Sequence, residues 1–192
     1  PNFTRERLAM SVDRRMLAGS LFSFFGGFIL GSSHTGRMAS LRFRAENAHR
    51  LPYTNPGWYL YHKSKNYYKM NAGIQAGVKS GFRLAGWVCV YLIVEEALDI
   101  FRGTFRAGRT LTEMEGIDEL EMQKLKKCVE QSRTCLSSGL AGMATAGLWS
   151  FKNRFPMPTA ARTIRIGLIV GLGYGLGQDA MKWARLRYVG EQ

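Results

Sequence analysis

Three carboxylates beside an apolar run carry the most chemistry in this chain. Glu95, Glu96 and Asp99 directly follow the uncharged stretch 84–94. Glu95 and Asp99 are four apart, so they share one face of a helix. At membrane depth a carboxylate costs several kcal/mol unless it is wet or paired. Arg83 and Arg165 are the candidate partners, with Arg83 near the opposite boundary of the same run. Two readings stand side by side. In one, Arg83, Glu95, Glu96 and Asp99 line a polar groove that admits water or a hydrophilic segment. In the other, the helix ends near Val94 and the acids sit at an interface.

The remaining reactive residues form no set. His34, His49 and His62 are 15 and 13 residues apart, which matches no short metal motif. Cys128 and Cys135 are seven apart. On one helix their Cα atoms would be about 10 Å apart, beyond the roughly 7 Å that a disulfide spans. Cys89 lies inside an apolar stretch, so free thiols, or at most one bridge to another chain, are expected. No nucleophile–base pair and no phosphate-binding loop occurs, because the Gly-rich segment 166–177 has neither a preceding strand nor a following Lys-Ser or Lys-Thr. These residues predict a protein that is not an enzyme and binds no metal or organic cofactor.

The elements that hold these residues come from the way the composition is sorted. The chain has 192 residues, a net charge of +13, 22 glycines and only three cysteines. That is room for one domain and argues against a disulfide-stapled mini-protein. A basic chain suggests a polyanionic partner in solution when charge and apolar residues are mixed. Here they are segregated into four stretches, about 14–33, 80–101, 133–151 and 160–181. About 20 mostly apolar residues cross a bilayer. No small-residue cleavage site closes the first stretch, so no cleavable signal is expected.

Small residues stripe all four stretches. Gly19, Ser23, Gly27 and Gly31 recur every four residues, as do Gly73, Gly77 and Gly81. Ser138, Gly142 and Ala146 do the same, and so do Gly167, Gly171 and Gly175. Each interior Gly costs a soluble helix about 1 kcal/mol against Ala. In a membrane it lets two helix backbones meet. The fold class expected is therefore an all-α membrane protein of four Gly-rich transmembrane helices.

Charge orients the spans. Residues 34–79 hold eight basic residues and one acidic, and residues 152–162 hold three basic and none acidic. Both segments fall on one side of a four-span chain. The positive-inside rule puts them on the negative side and both termini on the other. Within 34–79, residues 35–50 can be helical, with Arg37, Arg44 and Arg50 near one another, before a turn at 51–57. Trp58, Tyr59, Lys63 and Lys65 follow. Basic and aromatic residues beside a bilayer suit contact with anionic lipid, cardiolipin included, or with a partner protein, in preference to nucleic acid. Between the second and third spans, acids at Glu113, Glu115, Asp118, Glu119 and Glu121 precede Lys124, Lys126 and Lys127. That order complements a helix dipole and predicts an amphipathic helix, with Thr112 as its cap.

These features together resemble a known family. Gly81-Phe82-Arg83, Gly86, the acids Glu95 and Glu96, Arg102-Gly103, and the small residues from Ser138 to Gly147 are similar to the Tim17/Tim22/Tim23 superfamily. The likeness covers about 14–180. It implies a single four-helix domain of the mitochondrial inner membrane with both termini in the intermembrane space. Residues 34–79 would then be a matrix loop and 102–132 an intermembrane-space loop. The long first loop, and the lack of an N-terminal-side Cys for Cys89, depart from typical translocase subunits. They resemble instead the branch of complex I assembly factors. The resemblance implies a non-enzymatic scaffold whose partners are membrane subunits and assembly factors of respiratory complex I. The alternatives are a preprotein translocase subunit working with the import machinery, or an accessory subunit of a respiratory complex.

Overall fold

The computed structural model describes residues 10–106 and 119–189, without the side chains of 119–122, 125–126, 131, 185–186 and 188–189. Among the described residues the chain is all helical: α1 (Val12–Glu46), α2 (Asn55–Arg106), α3 (Glu119–Ser132), α4 (Cys135–Lys152) and α5 (Met157–Val189). A short 3-10 turn, Ala48–Arg50, lies between α1 and α2. Each of the four apolar stretches falls within a helix, apart from Arg133 and Thr134 at the start of the third. Thr112, Glu113, Glu115 and Asp118 lie outside the described residues. Glu119, Glu121, Lys124, Lys126 and Lys127 lie on α3.

Two expectations change. The helix expected over 35–50 is present as the end of α1, to Glu46, and the short 3-10 turn, but the part of 34–79 beyond the turn is helical as well, because α2 begins at Asn55. Nothing in 34–46 breaks the helix, and Pro56 sits in the first turn of α2, where its missing N–H is harmless. Cys128 and Cys135 do not share a helix: Arg133 and Thr134 separate α3 from α4. All three cysteines are free.

Two compact units divide the chain, one of them Leu17–Val88 and the other the rest of the described residues. In the first, α1 and α2 form an antiparallel hairpin whose seam is made of small residues. A Cβ added to Gly27 would lie 2.9 Å from the Ser80 carbonyl oxygen, and one on Gly81 equally close to that of Phe24. Gly31 faces Ser80 and Ala76, Gly73 faces Ser32, and Gly77 faces Phe28. Farther out Gly36 meets Lys69, and the Phe43 ring lies 5.4 Å from Tyr61 and 5.8 Å from Tyr68. Gly19 is half-buried on α1, and its carbonyl accepts a hydrogen bond from Ser23 Oγ.

In the second unit, α4 and α5 meet backbone to backbone. A Cβ on Gly142 would run into the Gly167 carbonyl and lie 3.2 Å from Gly171 Cα. Gly171 lies against the Ser138 carbonyl and Gly175 against Cys135. The turn between them ends α4 with a double bond pattern: Phe155 N–H donates to Ser150 O and Arg154 N–H to Phe151 O. This places Arg154 at φ 50°, a left-handed position usually taken by Gly.

The interior is inverted relative to a water-soluble protein. Among the described residues the buried apolar ones are Ala39, Leu92 and Ala141, whereas Phe22, Ile29, Phe82, Phe105, Ile169 and Trp183 are exposed. Among the described residues one helix, α1, is long and apolar enough to cross a membrane, and only 6 % of its apolar window is buried. In α2 and α5 charges flank or interrupt the apolar run, and α4 is rich in Gly, Ala, Ser and Thr.

The packing gives a paired test. Gly142→Leu is expected to destabilise by about 1–3 kcal/mol or more through overpacking. Gly173→Leu, at a glycine with nothing within 4 Å, should shift stability by no more than about 0.5 kcal/mol. Denaturation in detergent micelles by added dodecyl sulfate, followed by tryptophan fluorescence, compares them. Arg154→Gly is expected to raise stability by about 1 kcal/mol in the same assay, by relieving the left-handed backbone.

Candidate functional site

The acids that stood out in the sequence are the centre of a buried charge cluster. Helix α2 does not end near Val94 but continues to Arg106. It therefore carries Leu92, Glu95 and Asp99 on one buried face, with both acids at 0 % exposure. Glu96 points beside that face, its side chain 16 % exposed. The open-groove arrangement is not what these side chains form: Glu95 and Asp99 face protein.

Their partners come from three other places. Arg15, in the first turns of α1, donates to Glu96 at 3.0 Å and lies 3.7 Å from Glu95. Arg133, at the break before α4, donates to the other oxygen of Glu96 at 2.8 Å. Ser138 of α4 donates its hydroxyl to Glu95. Two guanidinium groups thus stand against the carboxylates of Glu95 and Glu96, with Asp99 enclosed one turn farther along the same face. An unpaired charge here would be strongly destabilising, and matched charges with hydrogen bonds remove most of that penalty.

A polar rim ties in the neighbouring helix ends. Ser132 Oγ donates to the Asp99 carbonyl at 2.8 Å, and Arg102 donates to Thr134 Oγ1 at 3.1 Å. The first N–H of α4, on Cys135, donates to the Asp179 carboxylate of α5 at 3.2 Å. An acid at that position satisfies an otherwise free donor and complements the helix dipole. Tyr91 donates its hydroxyl to the Ser138 carbonyl at 3.3 Å, and its ring packs edge-on to Tyr174.

Neither cation expected beside the acids is there. Arg83 lies about 18 Å earlier along the helix at 1.5 Å per residue, and it is exposed. Arg165 is exposed on α5. The true partners, Arg15 and Arg133, carried a readable signal. Each precedes an apolar stretch, whereas the acids close one, and the four-span order expected from the sequence puts such ends on the same side. Ser138 was expected only as a packing residue; it also supplies a hydroxyl. Among the described residues no group of three or more His, Cys, Asp or Glu could hold a metal.

The residues expected at the lipid or partner surface occupy the outer part of the α1–α2 hairpin. Arg37, Arg44, Trp58, Tyr59 and Lys63 are exposed on the two helices, Arg50 is exposed in the turn, and Lys65 is half-buried. His62 packs on Trp58 with ring centroids 5.8 Å apart.

What this arrangement does chemically is hold four chain segments together, with the charges engaged mainly by one another. No family model matches the chain, and neither the curated proteins nor the solved structures give a significant match.

The shared carboxylate makes the cluster testable. Glu96→Ala is expected to cost about 3 kcal/mol, the lower end of the range for a broken buried pair because Glu96 is not fully buried. Adding Arg133→Ala to that variant should cost much less than Arg133→Ala alone, since its partner is already gone. Additive losses in the dodecyl sulfate titration would contradict a working ion pair.

Proposed function

We propose that this chain is a four-span scaffold of the mitochondrial inner membrane, of Tim17 type, which assists assembly of the membrane arm of respiratory complex I. The observation that carries the membrane reading is the inverted interior. Glycine, serine and paired charges lie inside, and Leu, Ile and Phe lie outside. In water such a surface would aggregate; in lipid it is the ordinary outer face of a helix bundle.

The charge cluster supports the up-and-down order. It joins the start of α1, the later part of α2 and the start of α4, and Asp179 of α5 caps α4 beside it. In a four-span chain these are the ends on the side of the termini. The charge counts of 34–79 and 152–162 favour the matrix for the opposite side. Arg37, Lys79, Lys152, Arg154 and Arg162 then lie near the matrix-side boundary, where anionic phospholipid such as cardiolipin is the natural contact.

A scaffold fits better than a conduit, because Glu95 and Asp99 are enclosed by protein. The outward apolar faces then dock on the membrane helices of partner subunits. Affinity purification of the tagged chain from gently solubilised mitochondria is expected to recover membrane-arm subunits and assembly factors of complex I. Recovery of presequence receptors and the import motor instead would overturn the scaffold in favour of a translocase subunit. Tags at either terminus should be cleaved by protease in mitoplasts; protected tags would refute the orientation.

A further inference from the structure

At mid-span the α1–α2 hairpin exposes a cation that lipid does not stabilise. Phe24 lies at the centre of the apolar stretch 14–33 of α1, and it faces Gly81 of α2. Its ring also meets Phe82, with centroids 5.0 Å apart. Arg83, one residue farther on, is therefore level with the middle of that stretch, about 15 Å of helix from either end. Its side chain is exposed. An arginine at the centre of a bilayer is costly unless it faces protein or a wet cavity, and it reaches the headgroups only from near a helix end. Lys79, one turn nearer the outer end of the hairpin and on the same face of α2, is exposed too.

The hairpin has two unlike flanks at this depth. On one, Ser80 and Ala76 face Gly27 and Gly31; on the other, Gly77 and Gly81 face Phe28 and Phe24. Arg83 follows Ser80 by three residues and Ala76 by seven, which puts it along the first flank. Ser23 precedes Gly27 by four and runs along the same flank of α1. Its hydroxyl donates to the Gly19 carbonyl of its own helix at 2.7 Å. Gly86, three residues after Arg83, is exposed, and an added Cβ there would meet nothing within 4 Å. Small residues and a cation therefore line this flank, whereas the Phe24 side carries Phe82, 68 % exposed. Small residues let the backbone of another helix come close.

The counter-charge for Arg83 is not in the spans of this chain. Segments 14–45, 55–94 and 134–178 hold no Asp or Glu. Within Leu17–Val88 the single acid is Glu46, beyond the end of the apolar stretch. Glu95 lies about 18 Å farther along α2 and is held by Ser138 and Arg15. A second copy of the chain has the same acid-free spans and supplies nothing either. We infer that this flank docks a transmembrane helix of a different protein, one that carries an Asp or Glu near its middle. The inference rests on 14–33 crossing the bilayer, and it assigns one flank and one chemistry to the docking of partner helices proposed above. Apart, the two charges would each stand uncompensated in lipid; together they pair. Helices without an acid at that depth leave Arg83 unpaired and are rejected.

The experiment has two arms. In the first, the whole chain carrying Cys89→Ser, Cys128→Ser and Cys135→Ser is labelled with bimane at Phe82→Cys and placed in phosphatidylcholine vesicles. Spin labels at the acyl-chain ends are expected to quench it more than spin labels on the headgroups. No quenching by either removes the span itself; stronger quenching by the headgroup labels puts Arg83 near the surface and overturns only this inference. In the second, Gly86 is replaced by benzoylphenylalanine and irradiated in intact membranes, and the adducts are sequenced. The expected adduct is an apolar segment of about 20 residues from another protein, with an Asp or Glu within about two turns of the attachment point. Arg83→Gln should lower its yield at least about tenfold, and Arg83→Lys should lower it less than about threefold. Adducts to phospholipid, to a second copy of this chain or to a segment without an acid overturn the inference. So do a yield that Arg83→Gln leaves unmoved, an equal loss with Arg83→Lys, and the absence of any adduct.

Discussion

At Gly142 a side chain of even one carbon would run into the carbonyl of Gly167 on the facing helix. That backbone-to-backbone contact is the constraint from which the rest of the structure follows. It repeats at Gly171 and Gly175, and in the other unit at Gly27, Gly77 and Gly81. Between helices this close the glycines admit only an occasional ring or branch, as at Phe24, Phe28 and Leu172, and most of the large apolar side chains turn outward. The usual source of stability, apolar area removed from water, is then supplied by whatever covers the outside. Within the bundle, cohesion comes from dispersion between closely matched backbones and from polar contacts shielded from water.

The charge cluster is the second consequence. A narrow interior built of Gly and Ser has little to offer an isolated carboxylate, so Glu95 and Glu96 depend on Arg15, Arg133 and Ser138 arriving from elsewhere. Ion pairs of this kind contribute little net stability compared with well-packed apolar residues. Their value is specificity: a sliding of α1 or α4 by one turn would separate the Arg15 or Arg133 guanidinium from Glu96 by about 5 Å and strand all of them. Gly stripes alone are repetitive and tolerate such slips. The cluster fixes the register that the stripes leave loose.

The helical fold and the small-residue seams could be read from the chain because both are periodic. Gly31, Gly77 and Gly171 declare their faces by spacing alone. The helix over 35–50 and the turn after it could be read too, but the limits of α2 were harder to see, since the basic and aromatic residues after the turn looked like a loop. Charged and aromatic residues there obscure an uninterrupted helix propensity that only Pro52 and its neighbours interrupt. The partners of Glu95 and Glu96 were hidden for a different reason. Arg15 lies 81 residues from Glu96 and Arg133 lies 37. Periodicity carries no information over such distances; only the order of same-side helix ends does, and Arg165 and Arg83 were nearer to hand as apolar-stretch cations.

Those separations also set a temporal order. As the chain emerges, Arg15 enters first and Glu95 and Glu96 follow some eighty residues later. At that stage one cation faces two anions. The early α1–α2 hairpin, formed through near neighbours across a short turn, is quick to assemble but electrically incomplete. Only when Arg133 appears, at the threshold of α4, does Glu96 gain its second guanidinium. The last half of the chain is thereby recruited by the first, and a product stopping before Arg133 would lack one of the two guanidinium groups that hold Glu96.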